Sequence, residues 1–155
     1  MFAYICCDAG VVVVSLIDPK CPQVVAIINE EFVREPVAVQ VQFRYAYICD
    51  ADGLKVFDVT DLERPRYVTS LRLADVHNVY LARTYAYVAA GAQGLVIVDI
   101  TNPEKPFIDQ IYNAGGCLNQ VHDVKLGITY VSEFAYIADG CNGMKRRFAR
   151  ASLAS

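Results

Sequence analysis

The sequence has no apolar run long enough to cross a membrane as a helix. Its longest, around Val11–Val14, falls far short of the roughly 18 residues such a span needs. The opening residues, Met1-Phe2-Ala3-Tyr4-Ile5-Cys6-Cys7-Asp8, carry neither the basic region nor the long apolar core of a signal peptide, and read as the inside of a strand. The six cysteines (6, 7, 21, 49, 117 and 141) form no C-x-x-C zinc pattern and no C-x-x-C-H haem attachment, so no cofactor is expected. Cys6, Cys49 and Cys141 are expected as small buried residues on strands. The 3.6-residue apolar period of a helical repeat is missing, and no glycine lies between a strand and a helix where it could cradle phosphate. Positive charge is scarce over most of the chain. Lys145, Arg146, Arg147 and Arg150 fall in the last eleven residues, leaving residues 1–144 with 10 basic and 17 acidic side chains, a net −7. An acidic body excludes nucleic acid as the partner, because phosphate binding needs a basic face.

What is present is a repeat. Gly94-Leu95-Val96-Ile97-Val98-Asp99-Ile100-Thr101-Asn102-Pro103-Glu104-Lys105-Pro106 is a β-branched run that starts at a glycine, reaches an acidic residue and stops in a proline-closed turn. Copies start at Gly10 and Gly53 and close at Pro22 and Pro65, the same twelve positions that separate Gly94 from Pro106. Upstream of each glycine lies a second landmark, at Ala3-Tyr4-Ile5, Ala46-Tyr47-Ile48, Ala86-Tyr87-Val88 and Ala135-Tyr136-Ile137. Its tyrosines are 43, 40 and 49 residues apart, and Tyr136 precedes Gly143 as the others precede their glycines. A period of about 40–49 residues built from short apolar strands and turns is the mark of a β-propeller blade.

The predicted fold is therefore all-β, a propeller fragment or open arc of four-stranded antiparallel blades. Residues 1–36 form a partial first blade, 37–73 and 74–118 two complete blades, and 119–143 another partial blade, all in one propeller domain. Innermost strands are expected at residues 37–44, 76–82 and 121–126. Propellers close with typically four to eight blades, so these units do not complete a ring. The expectation is a piece of a longer propeller, with complementing copies or an open arc as alternatives. After Gly143 the apolar alternation is lost, and residues 144–155 read as a non-repeat basic tail.

Few residues carry chemistry. His77 and His122 occupy equivalent places on two predicted innermost strands, which line the central channel of a propeller. With Asp75 and Asp123 beside them they could hold a metal or act as acid and base, although Val37 stands at this place in the earlier copy. Repeat-equivalent polar residues more often serve loop hydrogen bonds. Asp58 and Asp99 close equivalent strands and are expected to cap turn amides. Gly10, Gly53, Gly94 and Gly143 are expected in hairpin turns, and Tyr4, Tyr47, Tyr87 and Tyr136 packed between blades. The segment 113–120 is an insertion relative to the other copies and a candidate ligand edge.

With these residues in view, the chain resembles the LVIVD-repeat family of β-propellers. Leu95-Val96-Ile97-Val98-Asp99 matches the name motif letter for letter, and the sequel through Pro103 and Pro106 is similar. The first copy departs with Ser15 at the place of Asp58 and Asp99, the second with Leu62 at the place of Pro19 and Pro103. The resemblance implies an exported or cell-surface propeller that binds a protein or small-ligand partner, and it brings no catalytic residues. Two classes of function follow: a noncatalytic interaction platform, with self-association through exposed blade faces, or a metalloprotein or hydrolase built on His77 and His122. An electron-transfer accessory is a weaker third, lacking a haem motif.

Overall fold

A computed structural model describes residues 1–128 and 132–148. The strands are β1 (Phe2–Cys7), β2 (Gly10–Ser15), β3 (Gln23–Ile28), β4 (Ala38–Gln42), β5 (Tyr45–Asp50), β6 (Gly53–Asp58), β7 (Arg66–Arg72), β8 (Asn78–Ala82), β9 (Tyr85–Ala89), β10 (Leu95–Asp99), β11 (Phe107–Tyr112), β12 (Asp123–Ile128), β13 (Glu133–Ala138) and β14 (Met144–Phe148). They form four antiparallel sheets in chain order: β1-β2-β3, β4-β5-β6-β7, β8-β9-β10-β11 and β12-β13-β14. Every neighbour in a sheet is a neighbour in sequence, as in a meander. The protein is all-β, with the sheets packed face to face as an arc of propeller blades.

The core sits between sheets, which explains why the repeat reads as a continuous apolar run and not as an alternation. Val96 and Val98 face the preceding sheet and pack with Tyr47, Cys49, Leu54 and Val56. Leu95 faces the following sheet and packs with Leu118, Val121, Val124 and Ile137. A third cluster joins the first two sheets through Val11, Ile28, Ile48 and Phe57. A strand buried on both faces needs apolar residues at successive positions.

The twelve-residue spacing has a structural cause at each end. A Cβ at Gly53 would overlap the Leu71 carbonyl oxygen of the outermost strand, and Gly53 has φ +138°. Only glycine gives the backbone that conformation and approach. The closing prolines, Pro22, Pro65 and Pro106, stand directly before β3, β7 and β11, where a missing N–H costs no ladder bond. Between them, Asp58 accepts from the Thr60 amide at 2.9 Å and Asp99 from the Thr101 amide at 2.8 Å. Ser15 fills the same place against the Ile17 amide at 3.4 Å. Each inner-to-outer pairing also carries a bulge at one position, between Val13 and Val14, Val56 and Phe57, and Ile97 and Val98. No sequence signal announces it.

Two expectations change. Met144–Phe148, read from sequence as the start of a non-repeat basic tail, forms β14 and pairs with β13 in the repeat register. Arg146 lies opposite Tyr136 as Ile97 lies opposite Tyr87. Backbone pairing to an existing strand and stacking of Arg146 on Phe134 and Arg147 on Tyr112, at 4.9 and 5.9 Å, accommodate the charges. The rest of the expected tail, including Arg150, lies outside the described residues. Cys141, expected on a strand, sits exposed in a 3-10 turn (Gly140–Asn142), because β13 ends at Ala138, before the chain reaches it.

Candidate functional site

His77 and His122 lie just before β8 and β12 and not on them. Their backbone N–H groups donate to Ala89 O at 2.8 Å and Ala138 O at 2.9 Å, and Val37 N donates equivalently to Cys49 O at 2.9 Å. The three are therefore repeat equivalents at one end of the innermost strands. The imidazoles meet edge to face with centroids 4.5 Å apart. His77 Nε2 is 2.9 Å from Asp75 Oδ1, while Asp75 Oδ2 accepts from Ala92 N at 3.2 Å. A two-residue bridge between Gly91 and Val121 holds the two loops side by side.

Asp123 turns away from this pair. Its Oδ1 accepts from Asn78 Nδ2 and from the Val124 amide at 2.7 Å, and lies 3.4 Å from Lys125 Nζ. Among the described residues no group of three or more histidine, cysteine or carboxylate side chains is arranged to hold a metal ion. What the geometry offers is two imidazoles in edge-to-face contact and one carboxylate, partly open to solvent.

The four landmark tyrosines form a series. Tyr47 and Tyr87 are 2% and 3% exposed and pack onto the following sheet, Tyr4 is half-buried against β4–β7, and Tyr136 is 37% exposed. Asp58 is a turn cap, and its hydrogen bonds from Thr60 hold its carboxyl below the usual range. The insertion at 113–120 forms a 3-10 turn (Ala114–Gly116) capped by Asn113, with Leu118 buried as an anchor.

Two buried acids escaped the sequence reading. Asp50 and Asp139 each lie three residues beyond a landmark tyrosine and are 1% and 0% exposed. Each ties the segment arriving from the preceding blade to its own sheet. Asp50 accepts from Arg34 N at 3.0 Å, and Asp139 from Asn119 N and Gln120 N at 3.2 and 2.9 Å. Asp50 is also 2.6 Å from Lys55 Nζ, whereas Asp139 Oδ2 is buried with no hydrogen-bond partner. The signal was the recurrence of Asp at that offset in two copies, hidden by Cys7 and Ala90 in the other two. Burial works against the Lys55 ammonium, but hydrogen bonds and charge from Asp50 and Asp52 outweigh it and its pKa is raised. Burial pushes the Cys49 thiol up to about 12.

No helix among the described residues is long and apolar enough to cross a membrane. No curated protein matches the chain. The family model for the LVIVD repeat matches residues 37–71 and 74–114, which are the two four-stranded sheets with their bulges, caps and close-approach glycines. On its repeat motif and on the sheets those repeats build, the chain belongs to the LVIVD-repeat family of β-propeller proteins.

Proposed function

We propose that the chain is a noncatalytic protein-interaction platform acting at the cell surface or outside the cell. The carrying observation is the apolar outer rim. Val24 and Ile27 on β3, Tyr67 on β7, and Phe107, Ile108 and Ile111 on β11 are 38–61% exposed. Apolar groups gathered on one side of a repeat array favour burial against another protein. The unpaired faces of the terminal sheets, with Ile5 at 49% and Met144 at 75% exposure, favour association between copies as well.

The test is site-specific photo-crosslinking in the native host, with the crosslinker at Phe107 or Ile111 and, as control, at Glu63 in a turn. Discrete protein adducts from the two rim positions and none from the turn are expected. Adducts at all three positions alike, or at none, would sink the reading. A membrane-impermeant maleimide reaching exposed Cys21 on intact cells tests the location.

The paired histidines favour a second reading, a metal or hydrolytic site at the mouth of the channel using His77, His122 and Asp75. Bound metal that disappears in the His77→Ala/His122→Ala variant supports it, and a folded, metal-free protein removes it.

A further inference from the structure

Among the described residues, the first sheet has an unoccupied place. In the other three sheets an innermost strand (β4, β8 or β12) pairs with the strand that bears the landmark tyrosine. β1 bears Tyr4 but pairs only with β2 among the described residues. Beside its other edge lies a groove of about 870 Å³, lined by Phe2 and Tyr4 of β1, by Val39–Gln42 of β4, and by Phe43 and Leu62. Phe43 is 93% exposed there, with Val41 at 38% and Phe2 at 36%. The groove stands where an innermost strand of the first sheet would run.

We infer that this groove takes an extended peptide segment, which adds antiparallel to β1 as the innermost strand of the first sheet. The inference rests on the protein-interaction reading and names the chemistry of one partner. By register, Tyr4 and Cys6 are the counterparts of Tyr47 and Cys49, which lie opposite Gln40 and Ala38 of β4. The outward N–H and C=O groups of Tyr4 and Cys6 are thus the ones a new strand satisfies, and an unpaired edge is a template for such addition.

The chain itself shows what fills this place. Val39, Val79 and Val124, with Val41, Leu81 and Leu126 two residues on, give the innermost strands an alternating apolar face. On the other face of β4, Gln40 Oε1 accepts from Leu81 N at 2.7 Å and Gln42 Nε2 donates to Arg83 O at 3.0 Å, locking β4 to the next sheet. Val41 and Phe43 are the counterparts of Leu81 and Arg83, and Phe43 shares the left-handed turn of Arg83, with φ of 55° and 54°. A segment alternating apolar and amide side chains therefore satisfies both β1 and β4.

The probe is a fluorescent peptide with the sequence of residues 37–44, titrated into the full chain and followed by anisotropy and by amide exchange. Saturable binding is expected, weakened about tenfold or more when the peptide carries Gln40→Pro, which removes the backbone donor that faces Tyr4 without touching the protein. Exchange should slow at the Tyr4 and Cys6 amides. Absence of binding, slowing at β14 instead of β1, protection at Tyr4 and Cys6 before peptide is added, or a concentration-dependent dimer that excludes the peptide would each overturn the inference. If the peptide fails while crosslinks at Phe107 and Ile111 persist, only this inference falls. Loss of those crosslinks removes the interaction reading beneath it.

Discussion

The sheets β4–β7 and β12–β14 are built on one register and live in different surroundings. Tyr47 lies opposite Val56 and Tyr136 opposite Arg146, Lys55 opposite Ile48 and Lys145 opposite Ile137. In β4–β7, both faces meet a neighbouring sheet and the outermost strand closes over Gly53. In β12–β14, one face packs and the other is open. A Cβ on Gly143 would meet nothing within 4 Å, since no outermost strand is present there among the described residues. The difference teaches that the repeat register can be kept by backbone pairing alone, while the apolar sequence of the repeat answers to the neighbours on either side.

The largest test of that contrast exchanges the tyrosines. Tyr47→Ala empties a site buried between two sheets and should cost about 3–5 kcal/mol, whereas Tyr136→Ala, at a site open to water, should cost about 1 kcal/mol or less. Urea unfolding of both variants gives the answer, and equal losses would mean that the open face is covered in solution.

The buried acids come next. Asp50→Ala leaves the largely buried Lys55 ammonium without its closest partner and should destabilise by about 3 kcal/mol. Asp139→Asn removes a charge that has an orphaned oxygen and keeps an acceptor for Asn119 N and Gln120 N, so its cost should be about 1 kcal/mol or less. A larger loss at Asp139 than at Asp50, again read from urea midpoints, would break the comparison.

A smaller effect follows from pH. The pKa of Lys55 is raised above its ordinary 10.5, so the stabilisation from its pairing is fully present below that value. It is lost as pH rises through the folded-state value. The parent protein should lose stability above pH 10.5 more steeply than Lys55→Met, and matching slopes would discard the pair as a source of stability.

The smallest effect concerns reactivity and leaves stability unchanged. Cys49, buried in β5 with its thiol at about 12, should stay unlabelled by a thiol reagent at neutral pH until the protein unfolds. Exposed Cys7, Cys21, Cys117 and Cys141 should be labelled at once. Labelling of Cys49 as fast as Cys141, followed by mass spectrometry, would show that the β4–β7 sheet opens as freely as the fourth.

The strands, the turns and the period were legible in the sequence because each has a local cause. Gly53 is forced by backbone approach, Pro106 by the start of an outer strand, and Asp99 by an amide two residues away. These causes act within one hairpin, so residue order alone encodes them. The pairing of His77 with His122, the burial of Asp50 and Asp139, the common bulge, and the strand from Met144 to Phe148 depend on which sheet lies beside which. A charged stretch such as Lys145-Arg146-Arg147 looks like a solvated tail until a partner strand and the rings of Phe134 and Tyr112 are brought to it. The sequence by itself determined the blade and its repeat. The tertiary structure decided which faces are covered and which edges stay open, because covering a face depends on contacts between residues some forty positions apart, which no local pattern records.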